Sequence, residues 1–187
     1  MKNKFFLRLN SSLFLFMLLL NACTSLAGSP GNGSAATPAV YTDPFAFCTA
    51  TGRLDAPDQR YIGEAVPDAV MNGYLKAAGL DQSMASNPDF RKLTIWRCMG
   101  GKVLACNFGA NLPCDSKANT DKAPTQAMSD FCKENKDSDF IPMVVTGHDT
   151  VYNWHCAGIV PEAQEQVSQV DAAGFIANIW YTLSDGK

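Results

Sequence analysis

The chain has little of what enzyme chemistry most often requires. It has two histidines, His148 and His155, in 187 residues. A zinc site needs three or four ligands and would have to join both to carboxylates such as Asp149, so no metal is expected. No Cys-x-x-Cys pair offers a redox motif, and no Gly-x-Ser-x-Gly elbow presents a serine nucleophile. No cofactor is expected. Lysine and arginine are not clustered: Arg91-Lys92 is a short run read as solvated surface. The formal net charge of -3 adds to the case against nucleic acid, whose phosphates need grouped cations. Nor does the apolar run Leu13 to Leu20 approach the ~20 residues of a membrane-spanning helix.

What is present begins with an address. Lys2, Lys4 and Arg8 precede that apolar run, and Leu20-Asn21-Ala22-Cys23 follows it, the layout of a secretory signal. The segment ending at Cys23 resembles the lipobox of bacterial lipoproteins, although Asn21 departs from the small or β-branched residue usual there. The resemblance implies a signal peptide over 1–22 and a lipidated Cys23 at the mature N-terminus, with the membrane as a partner through the anchor. Cleavage would remove three of the fifteen basic residues and none of the eighteen acidic ones, leaving a formal charge of -6. Thr24 is not the Asp associated with inner-membrane retention. The expected location is therefore extracytoplasmic, at the outer membrane facing the periplasm if the source is diderm.

Residues 23–39 form the lipidated end and a tether. The stretch from Thr24 to Ala39 is mostly Gly, Ser, Pro, Ala and Thr, too poor in apolar area to fold. At 5–6 Å times the square root of its length it spans roughly 20 Å. Residues 40–187 are the size of one domain. Setting Cys23 aside leaves Cys48, Cys98, Cys106, Cys114, Cys132 and Cys156, an even set that predicts up to three disulfides. Six cysteines allow fifteen connectivities. Locality gives a weak preference only for Cys106 with Cys114.

Periodicity predicts an α+β domain with two main helices and a small antiparallel sheet. A helix should open at Val66-Pro67-Asp68 and stop at Gly79, and a second should run from Pro124 to about Asn135 with Thr120 or Asp121 as cap. The dense aromatics of Tyr41 to Ala50 read as an extended segment. Met99-Gly100-Gly101 should turn a hairpin between Leu93–Cys98 and Lys102–Asn107. Gly147-His148-Asp149 should do the same between Met143–Thr146 and Thr150–Cys156. Phe175 to Leu183 reads as a closing strand, with a helix as the alternative.

Candidate chemistry is sparse. His148 beside Asp149 has the makings of a general base but falls at an expected turn tip, where polar residues serve the turn itself. His155 adjoins Cys156, yet neighbouring strand residues point to opposite faces. Trp96-Arg97-Cys98-Met99-Gly100 echoes Trp154-His155-Cys156-Ala157-Gly158; each Trp should pack beside its cysteine as core, with ligand platforms as the other reading. Asp137, Asp139, Asp149 and Asp171 match no calcium-loop spacing and read as solvated surface. The polar loop from Asn107 to Lys122 is either functional or simply held by Cys114.

Two stretches, Asp43-Pro44-Phe45-Ala46-Phe47-Cys48 leading to Leu54-Asp55-Ala56-Pro57-Asp58, and Trp96-Arg97-Cys98 leading to Gly109-Ala110-Asn111-Leu112-Pro113-Cys114, resemble a family of secreted or lipid-anchored bacterial proteins of uncharacterised function. The resemblance confers no activity. The hairpin from Ile95 to Asn107 is also faintly similar to the opening hairpin of periplasmic C-type lysozyme inhibitors, without their inhibitory loop motifs. The expected function is a non-enzymatic binding module for an envelope protein or cell-wall component. A small envelope hydrolase using His148, or a lysozyme inhibitor, is the alternative.

Overall fold

In the computed structural model, residues 39–110 and 112–185 are described, and all belong to one unit, Thr37–Lys187. Cys23, the signal segment and most of the tether lie outside the described residues. The fold is α+β, with five α-helices and small antiparallel sheets among the described residues.

The first helix, α1 (Pro44–Thr51), corrects the expected extended segment. Asp43 caps it, accepting from the backbone N–H of Phe45 at 2.7 Å and of Ala46 at 3.1 Å, and Pro44 sits at the helix start, where its missing N–H is harmless. Its aromatic density imitates a strand because nearly the whole helix is apolar. α2 (Asp68–Ala78) ends as expected on Gly79, which adopts the left-handed conformation. α3 (Pro88–Lys92) is a single turn capped by Asn87. α4 (Gln126–Glu134) lies where a helix is expected, but Thr125 is its cap, while Asp121 bonds the N–H of Ala123 instead.

Strands β1 (Thr94–Met99) and β2 (Lys102–Asn107) form the expected hairpin, with Gly100 and Gly101 at φ of 56° and 75°. β2 also pairs with β5 (Tyr181–Thr182), giving the order β1-β2-β5. Only these two residues of the expected closing strand are strand; Ala177–Ile179 is a 3-10 turn. The sheet is covered on both faces, so its strands are buried residue after residue rather than alternately. Trp96, Cys98, Val103 and Ala105 meet α1 and α2 residues such as Phe47 and Leu75, whereas Leu104 and Cys106 meet Phe175, Ile176 and Trp180.

The second predicted hairpin is wrong in its first half. Met143–Thr146 is one turn of helix, α5, following Pro142. The strand β3 (Tyr152–Ala157) instead pairs with β4 (Val160–Gln166), and Gly158 at φ 62° makes the turn. Its composition, Val-Pro-Glu-Ala-Gln-Glu-Gln, hides β4, but Pro161 and the acidic side chains suit an edge.

All six cysteines expected to pair do so: Cys48–Cys98, Cys106–Cys114 and Cys132–Cys156. Each bridge lies inside a different cluster of the core. Buried Trp96 packs in the cluster of the first and buried Trp154 in that of the third, the core reading of their echo. Disulfides persist in oxidising compartments outside the cytosol, and these three fit such a location. Among the described residues, no helix is long and apolar enough to cross a membrane.

Candidate functional site

A hollow lies where α5, β3 and the chain after β4 meet. It is a groove of about 670 Å³ whose floor includes Ile141, Trp154 and Ile179. Phe140, Met143 and Val167 line it with exposures of 65%, 59% and 52%, and Val144 on α5 is 87% exposed beside them. Apolar side chains left this open in one place mark an interaction surface more often than chance does.

Backbone geometry explains the wall. Pro142 starts α5 and Gly147 ends it at φ 91°, ψ 153°, a conformation closed to residues with a Cβ. A Cβ there would also meet Asp149 Oδ1 at 2.8 Å, so the carboxylate is folded back against the glycine. Ile141 N–H donates to Trp154 O at 2.7 Å, fastening the segment before α5 to β3. β4 occupies the opposite edge of β3, and Cys156 N–H donates to Ser138 O at 2.9 Å on the same side as Ile141.

His148 lines the groove and is exposed, but among the described residues its ring has no hydrogen bond, to Asp149 or to any other group. Asp149 does not line the groove. The pair is adjacent in sequence without forming a base and its orienter. His155 faces elsewhere, its Nδ1 lying 3.2 Å from Glu162 O across the β3–β4 pair. Among the described residues, no three or more His, Cys, Asp or Glu side chains converge as metal ligands would.

The opposite wall, which includes Ser168, Ile176 and Asn178, belongs to a strap held by charge. Arg97 is fully buried on the second face of the sheet and bonds Asp171, itself 12% exposed. The guanidinium carbon lies 4.4 Å from the centre of the Phe175 ring and 4.3 Å from that of Trp180. Arg53 donates to Ala172 O at 3.1 Å, and Lys117 to Ala173 O at 2.6 Å. Burial alone would raise the Asp171 carboxyl; hydrogen bonds from Arg97 and from the N–H groups of Phe175 and Ala173, with the charge of Arg97, hold it below the ordinary value. Asp171 is thus no solvated surface group. Asp137, at φ 55°, accepts from Gly158 N–H at 2.9 Å and fixes the β3–β4 turn. Asp139 is exposed, as expected.

The loop after β2 is fastened rather than free. Cys114 ties it to Cys106, Ala118 N–H donates to Gly174 O at 2.8 Å, and Asn119 bridges to Thr150. A second hollow, of about 640 Å³, includes Val66, Arg91 and Trp96 in its walls. Two of its polar side chains are already bonded: Arg91 donates to Val66 O, Ala85 O and Asp68, and Trp96 Nε1 to Ala65 O. Arg91 is therefore not the freely solvated residue expected.

Sequence reading missed Phe140, Ser168, Asn178 and the strap. No motif marks them. The available signal was the uncharged run Phe140-Ile141-Pro142-Met143-Val144-Val145, too apolar for a solvent-exposed loop. Compared with family models, with curated proteins and with solved structures, the chain matches none.

Proposed function

We propose that the protein is a lipid-anchored, non-enzymatic binding module of a bacterial cell envelope. Cys23 carries the anchor, 24–39 form the tether, and the domain takes its ligand in the groove between α5 and the 168–179 strap. The observation that carries this reading is the open apolar wall of Phe140, Met143 and Val144 beside a preformed hollow. The unpartnered ring of His148 favours binding over hydrolysis, because a general base needs an orienting partner and a nucleophile within reach.

Radiolabelled palmitate should enter the wild-type chain and not Cys23→Ser, which should leave the membrane fraction for the soluble one. Mixed with washed cell-envelope material, the unlipidated full chain should co-sediment, and Phe140→Asp with Val144→Asp should abolish that association. A full chain that stays soluble regardless, or loses a measured turnover on His148→Ala while remaining folded, would sink the binding reading.

A further inference from the structure

We propose that the groove binds an uncharged, N-acetylated saccharide chain, a deepening that rests on the binding reading above. The chain as a whole is 18% charged, yet no Asp, Glu, Lys or Arg lines this groove. Lys122 stands over the ring of Tyr152, 4.8 Å from its centroid, but is not among the lining residues. A phosphate or carboxylate at the groove's centre would find no counter-charge in the lining itself and would give up most of its hydration without replacement.

An acyl chain or a purely apolar side chain fits poorly for the opposite reason. His148, Tyr152, Ser168 and Asn178 line the groove, and among the described residues none has a side-chain hydrogen bond. An apolar ligand would cover these groups and leave them unpaired. The occupant must bring its own neutral donors and acceptors. An extended peptide could do so through its backbone, but that mode needs a free strand edge; one edge of β3 is taken by β4, and on the other Trp154 O and Cys156 N–H already bond Ile141 and Ser138. A pyranose ring offers hydroxyls to the free imidazole, phenol, hydroxyl and amide, and presents its C–H face to Phe140, since the Tyr152 ring already faces the Lys122 ammonium. The N-acetyl group adds an amide and a methyl, for which the lining holds both polar side chains, Asn178 and Ser168, and apolar ones, Ile141, Pro142 and Ile176.

The test is saturation-transfer NMR of the full chain in lipid nanodiscs with tri-N-acetylchitotriose, with protein-free nanodiscs as the blank. The acetyl methyl protons should receive saturation, and Asn178→Ala and Phe140→Ala, both exposed positions, should each weaken binding about fivefold, the effect of one lost neutral contact. Transfer should be insensitive to salt, as expected of an uncharged ligand. No transfer, transfer unchanged in both variants, or equal transfer to cellotriose would overturn the saccharide assignment. If co-sedimentation with envelope material is nevertheless lost in the Phe140 and Val144 double variant, only the ligand class falls and the binding role stands.

Discussion

At the scale of single residues, Arg97 occupies a site where its strand neighbours would place a leucine. It is wholly buried, touches two aromatic rings, and its charge is met by Asp171, while its Nε has no partner among the described residues. A pair this deep gains little over a well-packed apolar replacement, but removing one member strands a buried charge. Asp171→Ala should therefore cost about 3–5 kcal/mol in urea unfolding, more than Arg97→Met at the other end of the pair. The Asp171 carboxyl is depressed in the folded state, so its contribution is complete above the unfolded carboxyl value of about 4 and is lost as pH falls through the folded one. Below about pH 4 the wild type should lose its stability advantage over Asp171→Asn, a difference that vanishing only on the alkaline side would contradict. Gly63 is a second sensitive point: a Cβ would lie 2.5 Å from Tyr61 Oη and 2.8 Å from Thr42 O. Tyr61 is packed against Phe47 and Trp96, so Gly63→Ala should destabilise by about 1–3 kcal/mol, measurable by the same unfolding curves.

At the scale of elements, cap chemistry and amphipathic spacing decided where sequence could be read. α2 and α4 were legible because their apolar positions recur at helical spacing and breakers stand at their ends. α1 was not, since Phe45, Phe47 and Cys48 spread around it leave no polar face to reveal a period. Its legible sign was Asp43-Pro44, a cap followed by a helix-starting proline. Asp43→Ala should cost about 1 kcal/mol, and circular dichroism should show the loss as a lower unfolding midpoint with native signal retained. The β1–β2 hairpin announced itself through Gly100-Gly101, whereas β4 did not, because an edge strand under selection against pairing carries charge and proline instead of β-formers. The groove's wall at α5 was misread as a strand for a related reason: one turn is too short to display a helical period.

At the scale of the whole molecule, three small core clusters share one short chain, and each has its own bridge. The bridges span sequence separations of 50, 8 and 24 residues for Cys48–Cys98, Cys106–Cys114 and Cys132–Cys156 respectively. In the chain-entropy account, stabilisation grows with the logarithm of the closed loop, to roughly 4, 2.5 and 3.5 kcal/mol in that order. Paired Cys→Ser variants should follow that ranking in urea, and maleimide should find no free thiol among the six in the unfolded, unreduced protein. Label at any of them would contradict the pairing.

The sequence by itself determined the even set of paired cysteines, the two main helices, the first hairpin and the α+β class, all properties of counting and of spacing along the chain. It also ruled out common motifs for metal, redox and serine chemistry. Tertiary structure alone decided that Cys48 meets Cys98 and Cys132 meets Cys156, where locality favoured only Cys106 with Cys114, that Arg97 and Asp171, 74 positions apart, form one buried pair, and that Phe140, Ser168 and Asn178 share a groove. Those facts depend on long-range packing around the sheet and on the strap that closes over its second face. Local propensity carries no information about either, because the energies that fix them arise only when distant segments exclude water from between them.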